Sequence, residues 1–541
     1  MVDANLQVVT ENGIVQGFQK KLDNGPFMYA YTGIPFAKPP LYSLRFMSPQ
    51  PHDNWSGVLN ATLPTPACVE FSLRLVGLTV SGSEDCLYLN VYSPQRPQID
   101  ANLPVLFWIY GGAFLEGNTT IYHPDYLIEE NIIVVTSNYR LGIFGRRFLS
   151  TQDEAAPGNY GLKDQNAALK WVNNNIRYFG GDASRVTIMG ESAGACSTMY
   201  HMLSPKSRGL FHAAAVMSGD TLTPWCSQRH PRKVAKDISI HLGVSMDNST
   251  SFIEALRRMD SETLMRGQIT PILVNSIELY HNGFIFTPVI EHDHEDAFIT
   301  QSSYSLLETG KFARVPLMIG TTSLEFNFFS AAISVIKPLL VLLDLSPSLI
   351  PSGMDIPPSQ KRFVGSEIRR KYFRSDSLLS GTDAELLQYL SDVFFVKSLQ
   401  KSVQLLAKYI PVFNYVFDYD GQGAIDFSYK RFQLKKEVEK GTGHFEDMVY
   451  MWKVCELNEQ DKLVSKRFVK MLSNFAKCGN PTPVMDDILQ NVIWPPVNSS
   501  DYREYLLIGN DLKILQNYRN SYMEFWDELY EKYCRKPFTT Y

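Results

Sequence analysis

No stretch of this 541-residue sequence is long and apolar enough to cross a membrane as a helix. The most apolar segment, Ser330 to Ile350, is interrupted by Lys337 and Asp344 and cut by Pro338, Pro347 and Pro351, so it reads as buried or pocket-lining. The opening residues MVDANLQVVTENGIVQGF lack the basic and apolar regions of a secretory leader. The closing EKYCRKPFTTY lacks the hydrophobic tail of a lipid anchor. The compartment therefore reads as cytoplasmic, or as that of a secreted protein already processed. A basic footprint is missing too: the formal net charge is −5, which argues against a nucleic-acid partner. Neither CxxC nor CxxH occurs, which argues against structural zinc. Seven cysteines cannot all pair within one chain, so this is no small disulfide framework. There is no Ser/Gly linker, low-complexity tract or internal repeat. With 45% hydrophobic and 20% charged residues, the chain reads as one large globular unit over 1–541, not the several domains that length alone would suggest.

What is present is an alternation of apolar runs and helical patterns. Pro104–Tyr110, Ile132–Thr136, Arg185–Met189 and Ala213–Met217 read as buried strands. Leu162–Asn174 and Ala193–Leu203 have helical spacing. Further strands are expected at Val315–Gly320 and Val412–Asp418, and amphipathic helices around Val464–Lys477 and Asp511–Tyr533. Continuous apolar strands separated by helices predict an α/β fold, with a mostly parallel sheet covered on both faces. The mixed region near 230–310 and the helical one near 325–405 read as insertions over that sheet.

Gly190-Glu191-Ser192-Ala193-Gly194 fits G-x-S-x-G. A β-branched strand enters it and a helical run leaves it, the setting in which a serine is held on a sharp, exposed turn as a nucleophile. Attack by that oxygen on a carbonyl creates an oxyanion, which requires backbone N–H donors already in position. Ala193 supplies one, and Tyr110-Gly111-Gly112-Ala113-Phe114 follows an early strand as the loop to supply the rest.

A serine needs a base, and in strand–turn–helix hydrolases the chain order is serine, acid, histidine. Eight histidines follow Ser192, at 201, 212, 230, 241, 281, 292, 294 and 444. His201 and His212 are too near in sequence, whereas His444 lies on a Gly-rich loop beyond the strand near Val412, where a base is expected. For the acid, Glu325 stands on a turn after the strand near Val315; alone it would read as a solvent-facing glutamate at a helix start.

These motifs resemble the type-B carboxylesterase/cholinesterase family over nearly the whole chain. The likeness extends through Gly33–Ala37, the Arg45-Phe46 pair, Ser83–Asn90, Asn138–Gly142, Gly158–Gln165, Phe179–Asp182 and Met217–Gly219. It implies an α/β-hydrolase fold with large helical insertions and a serine carboxylesterase of insect general type. The implied catalytic residues are Ser192, Glu325 and His444, with Gly112, Ala113 and Ala193 as the oxyanion hole. It further implies a Cys68–Cys86 disulfide, an Arg45–Glu84 ion pair and an acyl-pocket tryptophan at Trp225. No cofactor or metal is implied. Small lipophilic esters and organophosphate-type inhibitors are the implied partners, and the chain is expected as a monomer or homodimer. Cholinesterases carry a choline-binding tryptophan inside the first disulfide loop; residues 68–86 contain none, which argues against a choline ester. Glu191 stands where juvenile-hormone esterases usually have glutamine, and Phe326, where the family usually has a small residue, should narrow the pocket. A hormone- or pheromone-specific esterase and a non-catalytic adhesion homologue are the alternatives.

Three other features read as ordinary. Glu291-His292-Asp293-His294-Glu295-Asp296 has the look of a metal cluster but reads as a solvated loop. Sequons at Asn60, Asn118, Asn248 and Asn498 support secretion only weakly. Cys196 reads as a small buried hydrophobe, not a reactive thiol.

Overall fold

The computed structural model of the protein describes residues 6–74, 77–145, 149–268, 287–332, 349–351, 353–375, 381–432, 440–498 and 503–541. His281 and most of the apolar stretch from Ser330 lie outside these residues.

An eleven-stranded sheet organises the molecule. In chain order its strands are β1 (Phe18–Lys21), β2 (Phe27–Pro35), β3 (Tyr88–Ser93), β4 (Leu103–Ile109), β5 (Ile133–Ser137), β6 (Gly181–Glu191), β7 (Ala213–Met217), β8 (Leu317–Thr322), β9 (Val412–Phe417), β10 (Glu504–Ile508) and β11 (Leu512–Gln516). Their spatial order is β11-β10-β9-β8-β7-β6-β4-β5-β3-β2-β1. From β5 through β10 every neighbouring pair is parallel, and the flanking pairs are antiparallel. All residues of β5, β7, β8 and β9 are buried, so both faces of the sheet are covered there. The uninterrupted Val/Ile/Ala/Met runs follow from that double burial.

Helices α1 (Tyr160–Asn175) and α2 (Ala193–Leu203) pack against β6, as does α4 (Glu459–Cys478), while α3 (Lys397–Leu406) packs on β8 and β9. α4 opens with a capping box, in which Asn458 accepts from Asp461 N–H at 2.9 Å, and closes on left-handed Gly479.

Two expectations are corrected. The helical pattern over Asp511–Tyr533 divides into strand β11 and a helix, α5 (Asn520–Tyr533). Leu512–Gln516 is largely exposed because it is an edge strand, and its alternation is too weak to be told from an amphipathic helix. The expected strand at Val315–Gly320 starts later and runs on to Thr322, because β9 pairs with it through Thr322↔Phe417.

Candidate active site

The carboxyl ends of β6, β7 and β8 are stitched together by backbone hydrogen bonds that run past the last strand residues. Ser192 N–H donates to Met217 O at 2.8 Å, Ser218 N–H to Gly320 O at 2.8 Å, and Ser323 N–H to Phe417 O at 2.9 Å. Leu324 N–H donates to Thr442 O at 3.0 Å, and His444 N–H to Glu325 O at 2.8 Å. Each strand thus delivers its terminal residue to one shared edge, where ligands of open α/β sheets bind.

Ser192 sits between β6 and α2 with φ 56° and ψ −121°, a conformation that non-glycine residues rarely hold. The turn can be this sharp because its neighbours lack side chains: a Cβ at Gly194 would lie 1.9 Å from Ile109 O. His444 Nε2 lies 2.8 Å from Ser192 Oγ, and His444 Nδ1 lies 2.7 Å from Glu325 Oε2. The other carboxylate oxygen of Glu325 accepts from Ser218 Oγ at 2.6 Å and from Thr322 N–H at 2.8 Å. Glu325 is fully buried, not solvent-facing.

The loop that carries Glu325 is held from a distance. Arg519, just before α5, donates to Ser323 O at 3.2 Å and pairs with buried Asp392 at 2.7 Å. Phe326 N–H donates to Ser391 Oγ at 3.0 Å.

Three carboxyl groups surround the imidazole. Glu191 Oε1 lies 3.2 Å from His444 Nε2, and buried Asp447 adds a further group nearby. Burial alone lowers the pKa of His444; the carboxylates of Glu191 and Glu325 outweigh it and hold the imidazole above its ordinary value. Asp447 responds oppositely. Burial, then Glu191 and Glu325, push its carboxyl well above the usual range.

The Gly-rich loop comes alongside. A Cβ on Gly111 would lie 2.9 Å from Ser192 Cβ. Gly112, Ala113 and Phe114 all have positive φ, at 105°, 53° and 64°, which makes a left-handed bend beside the nucleophile. At Gly112 a Cβ would meet Glu116 O at 2.1 Å. Ala193, at the first turn of α2, completes the set expected from the sequence.

Ala193 also belongs to an apolar cluster with Phe114, Cys196, Trp225, Cys226 and Phe395, against which Phe326 and Phe394 pack. Phe394 and Phe395 lie on a π turn, Asp392–Val396, between two helices. Phe395 packs on the His444 ring with centroids 4.6 Å apart. Sequence reading missed Phe395, Asp447 and the role of Ser218. A π turn leaves no periodicity to read, whereas Ser218 was visible as the residue after β7 in the Met217-Ser218-Gly219 match.

The remaining expectations fall as follows. Cys68 and Cys86 form a disulfide. Arg45 Nε donates to Glu84 Oε2 at 2.7 Å, and its Nη1 to Met259 O at 2.6 Å. Cys196 is corrected: it is disulfide-bonded to Cys226. Glu291 is also corrected. It is buried, paired with Lys163 Nζ at 2.7 Å and with His294 at 3.1 Å, because Lys163 on α1 needs a counter-ion inside the protein.

The carboxylesterase family model matches residues 4–526. The chain is 32% identical to venom carboxylesterase-6 of Apis mellifera, covering 96% of this chain and 93% of that one. It is also 32% identical to juvenile hormone esterase of Tribolium castaneum, covering 91% and 86%. The solved structure of juvenile hormone esterase from Manduca sexta, with OTFP covalently attached, superimposes with a TM-score of 0.85 at 27% identity, covering 97% of this chain and 99% of that one.

Proposed function

This chain belongs to the carboxylesterase family, and we propose that Ser192, Glu325 and His444 carry out its ester hydrolysis. The observation that supports this most directly is the unbroken relay from Ser192 Oγ to His444 Nε2 at 2.8 Å and from His444 Nδ1 to Glu325 Oε2 at 2.7 Å.

His444 takes the Ser192 proton as Oγ attacks the ester carbonyl. Backbone N–H groups of Gly112, Ala113 and Ala193 stabilise the oxyanion. Collapse of the tetrahedral adduct expels the alcohol, protonated by His444, and leaves an acyl-serine. Water, deprotonated by His444, then attacks the acyl-serine and releases the acid. Glu325 holds the imidazole in the tautomer that points its bare nitrogen at Ser192, and Ser218 fixes Glu325. The substrates are small lipophilic esters, since the residues around Ser192 are apolar and aromatic.

The test is hydrolysis of p-nitrophenyl acetate before and after an organophosphate, followed by a peptide map. Turnover that is lost together with a single phosphoryl adduct on Ser192 supports the assignment. Labelling of another serine with full loss of turnover overturns it.

A further inference from the structure

Cys196 lies one turn into α2, where its N–H donates to Ser192 O at 3.0 Å. Its bond to Cys226 therefore joins the nucleophile's own helix to the residue after Trp225. The same segment is fastened twice more. Tyr200, also on α2, donates to Cys226 O at 2.9 Å, and Cys226 N–H donates to Thr223 O at 2.9 Å. The indole of Trp225 is pinned as well, donating from Nε1 to Phe394 O at 2.8 Å. Trp225 is 2% exposed.

Its ring begins a contiguous aromatic wall. Centroids are 5.5 Å apart for Trp225 and Phe395, 5.9 Å for Phe395 and Phe326, and 5.4 Å for Phe326 and Phe394. These are the spacings of rings in contact, with no room for a chain between them. Phe395 continues the wall onto the base. A long acyl chain can enter only by displacing a ring, and the ring farthest from His444 in this series is the one covalently tethered.

On the reading that Ser192 is the nucleophile, we propose that the Cys196–Cys226 disulfide braces Trp225 as the fixed wall of the acyl pocket, so that the enzyme selects short, acetyl to butanoyl, acyl groups. Cys196 and Cys226 are positioning residues and Trp225 is the specificity-determining one. The bond sets acyl length, not the chemical step.

The experiment compares kcat/KM for p-nitrophenyl acetate, butanoate and octanoate in the wild type and in the double variant Cys196→Ala, Cys226→Ala. The octanoate-to-acetate ratio should be low in the wild type and rise by about tenfold or more in the variant, the scale on which pocket fit discriminates methylenes. An unchanged ratio in a folded variant overturns the brace. So does a non-reducing peptide map of the native protein in which both cysteines are free thiols. If the double variant does not fold, Trp225→Ala, which keeps the bond and removes the wall, must raise the ratio; a flat ratio there overturns the proposal. Wild-type protein that hydrolyses all three esters but is labelled at a serine other than Ser192 has a different signature, and it overturns the nucleophile assignment and the brace together.

Discussion

Glu191 places its Oε1 3.2 Å from His444 Nε2, the nitrogen that also faces Ser192 Oγ at 2.8 Å. The residue next to the nucleophile is therefore an electrostatic partner of the base. Its register makes this unavoidable: Glu191 pairs with Met217 at the end of β6, one residue before the turn that lifts Ser192. Two carboxylates bracket one buried imidazole, Glu325 at Nδ1 and Glu191 at Nε2, and both favour the imidazolium formed during the reaction.

The pH profile should report this. The resting base must be neutral, and its pKa is held above 6.5 because the two carboxylates outweigh burial. Activity is thus lost as pH falls through that raised value. Glu191→Gln removes one stabilising charge, lowers the pKa and moves the acid limb of kcat/KM to lower pH. The check is a kcat/KM titration with an ester that does not ionise in the range; an acid limb that stays put or moves upward would contradict the assignment.

Glu325→Gln keeps the shape of the acid and removes its charge and its preference for the right tautomer. A fall in kcat on the order of 10²–10⁴-fold is expected, with KM little changed and the fold intact by circular dichroism. Full turnover would mean that another carboxylate, Glu191 or Asp447, serves as the acid.

The nucleophile, base, acid and oxyanion loop were legible because each rests on local chemistry. A serine between small residues follows a strand, glycines permit a left-handed bend, and a histidine follows Gly441-Thr442-Gly443. Chain order then limited the choices. The groups that tune the site were not legible. Asp447 reaches it only because the turn at Phe445, φ 58°, swings the Glu446–Tyr450 segment under the base. Arg519 acts on the acid loop from the far end of the chain. Cys196 looked like a small core residue because its partner, Cys226, approaches only when β7 is laid beside β6.

Asp447 offers a stability test with a definite sign. Its folded-state pKa is raised above 3.8, by burial first and by Glu191 and Glu325 after it. The folded chain then holds a proton that the unfolded chain has released. That contribution is complete below the ordinary carboxyl value and is lost as pH rises through the raised one. Asparagine mimics the neutral carboxyl and does not titrate. The Tm of Asp447→Asn minus that of the wild type should grow more positive between about pH 4 and pH 8, in thermal melts followed by circular dichroism. A difference that shrinks as pH rises would show that Asp447 is ionised in the folded protein.

The oxyanion loop depends on a buried ion pair that never touches substrate. Arg140, just past β5, donates from Nε and Nη2 to Asp164 on α1 at 2.8 and 2.7 Å, and its N–H reaches the same carboxylate at 3.1 Å. Both side chains are buried, and the guanidinium lies over the Tyr160 ring. Two residues on, Gly142 N–H donates to Phe114 O at 2.8 Å, so the pair anchors the strand that holds the left-handed bend at Gly112–Phe114. Asp164→Ala strands a buried cation and should cost about 3–5 kcal/mol. Where the variant still folds, kcat should fall more than KM rises, since a displaced loop loses stabilisation of the oxyanion, not of the ground state. Replacing both partners, Arg140→Met with Asp164→Leu, removes the unpaired charge and should recover most of the stability in denaturant melts while kcat stays low. Recovery of kcat along with stability would separate the oxyanion loop from this ion pair.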